Sequence, residues 1–264
     1  MTVQLELLHE PAQGERRKSP LLFIHGGFHG AWCWQDHFMG WFSEHGFECY
    51  AISLRDHGGS QRTGRHLEWH LRDYVEDAKW AADQLEEKPI LVGHSLGGTI
   101  AQKMVNGGDF PAMILLAPSP IGGSNRAGMR MLFSAPKSML LALRTKDMSQ
   151  ALPAFLPFFL SEGLPKTKRA RIVARLDGLT SFSSASEAFY ADPPKPKLTD
   201  MPVLVVSGER DWSIPQYKNV KLAREYGGDH IVVPTAHDVM CDVGWDLAAG
   251  QILTWLNTQL ESQS

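Results

Sequence analysis

Short apolar runs bounded by turn residues alternate with longer amphipathic stretches along most of the chain. Most runs are continuously apolar, which is typical of parallel strands covered on both faces. They lie at Leu21–Ile24, Tyr50–Leu54, Ile90–Val92, Ala112–Ala117, Val203–Val206 and Ile231–Val233. An additional segment, Val3–His9, alternates and predicts an antiparallel edge strand. Helices are predicted at Trp32–His45, Leu71–Glu87, Leu96–Asn106, Pro215–Tyr226 and Trp245–Leu260. This order predicts an α/β fold with a mainly parallel sheet and helices on both faces.

One region departs from this alternation. Residues 121–200 contain helical patterns and many prolines but no convincing strand. A helical insertion between two strands of a parallel sheet can cover the carboxyl ends of the strands, where α/β proteins bind ligands. We therefore predict an α/β core of residues 1–120 and 201–264 and a helical cap of residues 121–200.

Composition narrows the possible roles. The chain has 264 residues, of which 43% are hydrophobic and 21% charged, as in ordinary globular proteins with a sizeable core. The net charge of −3 gives no basic field for nucleic acid, so no nucleic-acid partner is predicted. The most apolar stretch, Ala151–Leu160, contains two prolines and is too short to cross a bilayer. No membrane span is therefore predicted.

The candidate nucleophile lies in a G-x-S-x-G motif, Gly93 to Gly97, between the predicted strand Ile90–Val92 and a predicted helix. A nucleophile elbow requires this context, because its sharp turn raises the serine hydroxyl above the sheet. Flanking glycines allow close packing, and the helix N-terminus favours developing negative charge. We predict Ser95 as a nucleophile rather than an ordinary turn serine.

A serine nucleophile needs a base, and the base needs an acid that orients it. With such an elbow the order along the chain is serine, acid, histidine, and only His230 and His237 follow Ser95. His230 begins an apolar run, whereas His237 follows that run in a loop, so we predict His237 as the base. In the preceding loop, Asp211 is favoured over Glu209 because its shorter side chain suits a fixed hydrogen bond.

A glycine-rich loop follows the first predicted parallel strand. The backbone N–H groups of Gly27, in this loop, and Leu96, after the nucleophile, are predicted to converge on a carbonyl oxygen as an oxyanion hole. His25 and His29 belong to the same loop. We expect them to orient it by hydrogen bonds rather than to act as bases or metal ligands.

Neither a metal nor an organic cofactor is predicted. His66 and His70 are spaced i and i+4, but the glutamate that follows the first histidine in zinc-binding helices is missing, so both are expected on the polar surface. Cys33, Cys49 and Cys241 show no CxxC pairing and suggest neither a disulfide framework nor a zinc site. Reduced thiols predict a cytoplasmic protein.

Together these motifs resemble the α/β-hydrolase superfamily with a helical cap. The matching segments, in order along nearly the whole chain, are HGGFHGAWCW, SLRDHGGS, VGHSLGG, GERDWSIP and AHDVM. The first is similar to the carboxylesterase and plant methylesterase–hydroxynitrile lyase branch. The resemblance implies an α/β-hydrolase fold with the cap inserted after the sixth strand. It also implies Ser95, Asp211 and His237 as a catalytic triad, with Gly27 and Leu96 as oxyanion donors.

The expected function is a serine hydrolase that cleaves a small to medium carboxylic ester, thioester or lactone through an acyl-enzyme. The alternatives on the same scaffold are a cofactor-free lyase or oxygenase, a C–C bond hydrolase and a slow-turnover small-molecule binding protein. Gly26 and Asp238 stand where hydroxynitrile lyases usually have Thr and Lys, which argues against lyase activity.

The predicted cap has two notable compositional features. Its apolar side chains can wall a substrate pocket with Phe28 and Trp212, or can form the cap's own core; they include Met129, Phe133, Met139, Phe155, Phe158 and Phe159. Residues 121–200 also carry a net charge of +6, against −9 for the remainder. This charge can dock the cap on an acidic core or steer an anionic substrate. The cluster concerned is Lys166, Lys168, Arg169, Arg171 and Arg175.

Overall fold

The computed structural model describes residues 3–106, 108–119, 121–122, 129 and 132–261. Within them a seven-stranded sheet has the order β1-β3-β2-β4-β5-β6-β7. The strands are β1 (Glu6–Glu10), β2 (Leu21–Ile24), β3 (Cys49–Ser53), β4 (Ile90–His94), β5 (Met113–Leu116), β6 (Val203–Gly208) and β7 (Asp229–Val233). β1 pairs antiparallel with β3, and the other pairs are parallel. The predicted mainly parallel sheet is confirmed.

The continuous apolar runs form strands that are buried on both faces. All four side chains of β2 are fully buried. Because side chains alternate along a strand, Leu21 and Phe23 pack into one hydrophobic core, and Leu22 and Ile24 pack into the other. A strand with an apolar side chain at every position is therefore covered by helices on both sides.

Helices supply both of these covers. Those described are α1 (Trp32–Gln35), α2 (Phe38–Glu44), α3 (Leu71–Asp83), α4 (Leu96–Val105), α5 (Pro136–Thr145), α6 (Leu152–Phe159), α7 (Lys166–Val173), α8 (Phe182–Ser186), α9 (Gln216–Tyr226) and α10 (Trp245–Glu261). Side chains of α1, α2 and α10 join the core with Leu21 and Phe23. Those of α3, α4 and α9 join the core with Leu22 and Ile24.

The helix predicted over Trp32–His45 is interrupted. His37, with φ −148° and ψ −65°, separates α1 from α2. Side chains at the interruption contact α7: Asp36 Oδ1 lies 2.7 Å from Arg171, and Lys168 Nζ lies 2.7 Å from His37 Nε2. At this break Asp36 and His37 thus contact the helical insertion. The hydrophobic pattern of the segment does not reveal these contacts.

The helical insertion, residues 121–200, follows β5 in the described chain, and the sixth strand expected before it is not formed. Only one antiparallel strand precedes β2, because residues 11–20 do not pair. Pro11 and Pro20 lack the N–H that a sheet ladder needs, and Gly14 has φ +76°. The resemblance therefore implied one more strand before the insertion than the described chain forms.

No helix within the described ranges is both long and apolar enough to cross a membrane.

Candidate active site

Ser95 occupies a sharp turn between β4 and α4. Its φ of 50° and ψ of −113° place it in a backbone region that non-glycine residues rarely adopt. Neighbouring glycines are required by close backbone approach: a Cβ on Gly97 would lie 2.1 Å from the carbonyl oxygen of Ile24, and one on Gly93 would lie 2.5 Å from that of Gly97. The geometry is that of the predicted elbow.

His237 and Asp211 are brought together from separate loops. His237 Nδ1 donates a hydrogen bond to Asp211 Oδ2 at 2.8 Å, and both residues are buried. The other oxygen of Asp211 accepts from the backbone N–H of Ser213 at 2.9 Å and from that of Ile214 at 3.1 Å. Glu209, the alternative acid, is exposed. Asp211 is therefore the carboxylate fixed against His237.

Ser95 and His237 line the same cavity. No hydrogen bond between Ser95 Oγ and His237 Nε2 occurs among the described residues. Such contacts often shorten only when substrate is bound, so this geometry leaves the pairing possible. His230, the other histidine after Ser95, lies on β7 with its Nε2 2.9 Å from Ser207 Oγ. It is thus held in the sheet.

The environment of His237 acts on its pKa in two directions. Burial lowers it, whereas the charge of Asp211, the hydrogen bond to Asp211 and the charge of Asp238 raise it. The net result is a pKa above the ordinary value for histidine. This imidazole therefore accepts a proton more readily than an average one.

Gly27 and Leu96 both line the cavity, and neither backbone N–H is hydrogen-bonded to another described residue. His25 Nδ1 donates to the carbonyl oxygen of Gly26 at 2.7 Å, while its Nε2 accepts from the N–H of Leu54. Because carbonyl and N–H point in opposite directions across a trans peptide, this contact fixes the direction of the Gly27 N–H.

The cavity has a volume of about 280 Å³ and is mainly apolar. Five of the predicted pocket residues line it: Phe28, Met139, Phe155, Phe158 and Phe159. Apolar lining residues that the sequence did not indicate are Met148, Phe182, Phe189, Tyr190 and Ile214. No Lys, Arg, Asp or Glu is found among the described lining residues.

Three predicted pocket residues do not line this cavity. Met129 and Phe133 lie before α5 and are 58% and 82% exposed, so their side chains face solvent rather than the cavity. Trp212 packs against the lining residue Phe158 instead, with its ring edge-on to that of Phe158 at a centroid distance of 3.6 Å. Composition identified an apolar insertion, but it could not distinguish its inner side chains from its outer ones.

A family model described as the alpha/beta hydrolase family matches residues 21–242. The chain belongs to this family. It is 36% identical over 95 residues to the putative methylesterase 15, chloroplastic, of Arabidopsis thaliana, and the match covers 35% of this chain and 20% of that relative. The matched segment therefore spans about a fifth of that relative's length.

Solved structures show the same fold. This α/β hydrolase is similar to an esterase from Exiguobacterium antarcticum, with a TM-score of 0.75, 15% identity and coverage of 97% of this chain and 96% of that one. It is also similar to an enol-lactonase from Burkholderia xenovorans, with a TM-score of 0.73, 17% identity and coverage of 97% of each chain.

The predicted surface position holds for His70, whose side chain is 43% exposed, but not for His66, whose side chain is only 17% exposed. His66 Nε2 lies 3.3 Å from Asp147, and His70 Nδ1 lies 2.6 Å from Glu187 Oε1. Both carboxylates belong to the helical insertion of this α/β hydrolase. The histidines therefore bridge the insertion and the sheet-bearing part of the chain, which sequence spacing alone could not indicate.

The basic cluster lies away from the cavity, since none of its members lines it. Arg171 and Arg175 approach Asp36 at 2.7 and 3.8 Å. Arg169 donates to the carbonyl oxygen of Leu160 at 3.3 Å. These contacts favour docking over substrate steering.

Sequence reasoning assigned no role to two buried groups at the site, His94 and Asp238. The sequence feature that could have indicated them is their position next to Ser95 and His237 in the chain. Ligand atoms of His94, His237 and Asp238 lie within 4.8 Å of one another, as in a possible metal site. However, His94 Nε2 faces the carbonyl oxygen of His237 at 3.1 Å, and His237 Nδ1 is bonded to Asp211. One ring nitrogen of His94 and one of His237 are thus already engaged in hydrogen bonds within the protein.

Proposed function

We propose that this α/β hydrolase cleaves a carboxylic ester through an acyl-enzyme on Ser95. The observation that carries the proposal is the buried hydrogen bond of 2.8 Å between Asp211 and His237, because His237 lines the same cavity as Ser95. In this proposal His237 Nε2 takes the hydroxyl proton while Ser95 Oγ attacks the substrate carbonyl carbon. Asp211 fixes the imidazole orientation and stabilises its charged form.

The oxyanion is proposed to bind the N–H groups of Gly27 and Leu96. Both are unpaired within the described chain and line the cavity, so they can donate without breaking an existing bond. His237 then protonates the leaving alcohol. In the second step it activates the water that releases the acid from Ser95.

The proposed substrate is a small to medium ester, thioester or lactone with an apolar acyl or alcohol group. The aromatic lining of the cavity and its lack of charged side chains favour an uncharged group over an anionic one. The helical insertion is proposed as a cap, because Met139, Phe155 and Phe182 contribute to the lining from three of its helices. The cysteines are buried and free, consistent with the predicted reducing cytoplasm.

The test is a panel of neutral esters, thioesters and lactones of increasing acyl length, combined with labelling by a fluorophosphonate. We expect steady turnover, stoichiometric labelling and loss of both in Ser95→Ala. Ser119→Ala, which removes another cavity-lining hydroxyl, is expected to retain labelling. Labelling with negligible turnover would indicate the binding-protein alternative. Turnover in Ser95→Ala above about a tenth of the wild-type rate would refute the nucleophile.

A further inference from the structure

Asp238 is a fully buried carboxylate beside the base. It follows His237 in the chain, and its backbone N–H is bonded to the carbonyl oxygen of Phe159 at 2.9 Å. Its Oδ2 accepts from His29 Nε2 at 3.1 Å. Its Oδ1 has no hydrogen-bond partner among the described residues and lies 3.8 Å from His94 Nε2. Burying such a group is costly, so its contacts need an explanation.

His29 has an oxygen at each ring nitrogen. Nδ1 lies 2.8 Å from the carbonyl oxygen of Gly27, and Nε2 faces Asp238. Because a carbonyl oxygen can only accept, Nδ1–H donates to Gly27, and the other ring nitrogen, Nε2, is hydrogen-bonded to the carboxyl group of Asp238. Trp32 stacks on this ring at a centroid distance of 5.6 Å, and Phe159 lies at 5.5 Å. The buried pair of His29 and Asp238 is thus enclosed by aromatic side chains.

This ring connects the two loops that the proposed reaction needs. The carbonyl of Gly27 forms part of the glycine-rich loop, where Phe28 has φ +68°, a strained value for a bulky residue. Asp238 belongs to the loop that carries His237. One buried hydrogen bond, between His29 and Asp238, therefore fixes the loop of the proposed oxyanion donor relative to the loop of the proposed base.

We propose that Asp238 is a positioning residue that acts through His29 to hold the Gly27 loop in register with His237. This inference rests on the proposed function, since it concerns the alignment of the same site. Asp238→Asn keeps the side-chain shape but replaces the carboxylate by a neutral amide. The hydrogen bond between residue 238 and His29 then loses its charge assistance and becomes weaker, so it holds the two loops less firmly.

The same substitution also changes the electrostatics of the base. His237 is faced by Asp211, by His94 at a ring-centroid distance of 4.9 Å and by Asp238. The negative charge of Asp238 favours the protonated imidazole and raises its pKa. Removing this charge therefore lowers the pKa of His237 and moves the acid limb of kcat/KM to lower pH.

The test measures kcat, KM and pH profiles for Asp238→Asn, His29→Gln and the double variant, on an ester that the wild type hydrolyses. Each single variant is expected to lose at least about tenfold in kcat with KM nearly unchanged, because misalignment affects the transition state. The double variant is expected to lose no more than the worse single variant, since both substitutions act on the same link. Asp238→Asn is also expected to shift the acid limb downward.

Asp77→Asn is the matched control, because Asp77 is buried and ion-paired with Arg55 at 2.6 Å outside the cavity lining. It is expected to lose stability while keeping kcat and the pH midpoint. A folded Asp238→Asn with wild-type kcat and pH profile would overturn the inference, as would multiplying losses in the double variant. If Asp238→Asn does not fold, wild-type kcat in His29→Gln overturns it, and a kcat loss at constant KM supports it. Turnover that survives Ser95→Ala instead rejects the proposed function itself.

Discussion

At the scale of single residues, the two oxygens of Asp211 have separate tasks. One accepts from His237, while the other is held by the N–H groups of Ser213 and Ile214. Asp211→Asn is therefore expected to reduce kcat by about 10³- to 10⁴-fold, because an amide can fix the wrong imidazole tautomer. Steady-state kinetics on the folded variant measures this loss. Glu209→Gln serves as the control, and a larger loss there would assign the acid to Glu209.

The pH dependence follows from the raised pKa of His237. Because the proposed base must be neutral, kcat/KM is expected to rise with pH and to reach half its maximum above the ordinary histidine value of about 6.5. The pH profile of kcat/KM for a substrate without ionisable groups measures the midpoint. A midpoint clearly below that value would show that burial lowers the pKa of His237 more than Asp211 and Asp238 raise it.

At the scale of elements, the elbow requires glycine at positions where a side chain would collide with the neighbouring backbone. A Cβ on Gly97 would lie 2.1 Å from a backbone oxygen that cannot move independently of β2. Gly97→Ala is expected to lower the free energy of unfolding by at least about 2 kcal/mol, as overpacking does. Gly40→Ala is the matched control, since no atom lies within 4 Å of the added Cβ in α2. It is expected to stabilise by about 0.5–1 kcal/mol through helix propensity. Chemical denaturation compares both, and equal effects would contradict the steric explanation.

The same elements show what the sequence could and could not predict. Strands β2 to β6 were located because continuous apolar runs need cover on both faces, and the elbow because glycines, serine and helix occur together in the chain. The break at His37 escaped prediction because its stabilising contacts come from α7, more than a hundred residues later. Local patterns specify elements, whereas long-range contacts decide where they stop.

At the scale of the whole molecule, the predicted site residues Ser95, Asp211 and His237 could be chosen because chain order and loop position restrict the candidates. The pocket was harder to predict. Met129 and Phe133 have the same apolar character as Phe155 and Phe158. However, the first two side chains are exposed to solvent, whereas the last two line the cavity. That difference depends on how α5 and α6 pack, which hydropathy along the chain does not contain.

The basic cluster gives the last prediction, which concerns how the helical insertion is held. Arg171 and Arg175 both approach Asp36, and Arg175 also lies over the Trp32 ring at 4.5 Å. Reversing both arginines to Glu replaces attraction by repulsion. We expect a loss of about 1 kcal/mol in the free energy of unfolding, because such exposed pairs are individually weak.

Docking and steering predict different salt responses for this pair of arginines. Added salt screens exposed charges, with a screening length that falls from about 10 Å at 0.1 M to about 3 Å at 1 M. If the arginines only dock the insertion, added salt is expected to change kcat/KM equally for an anionic ester and for a neutral ester. This equality is expected both in the wild type and in the double reversal. Lys195→Glu with Lys197→Glu reverses the same charge at exposed positions of the insertion outside the cluster and controls for net charge. A salt-dependent preference for the anionic ester that only the arginine reversal removes would restore the steering interpretation.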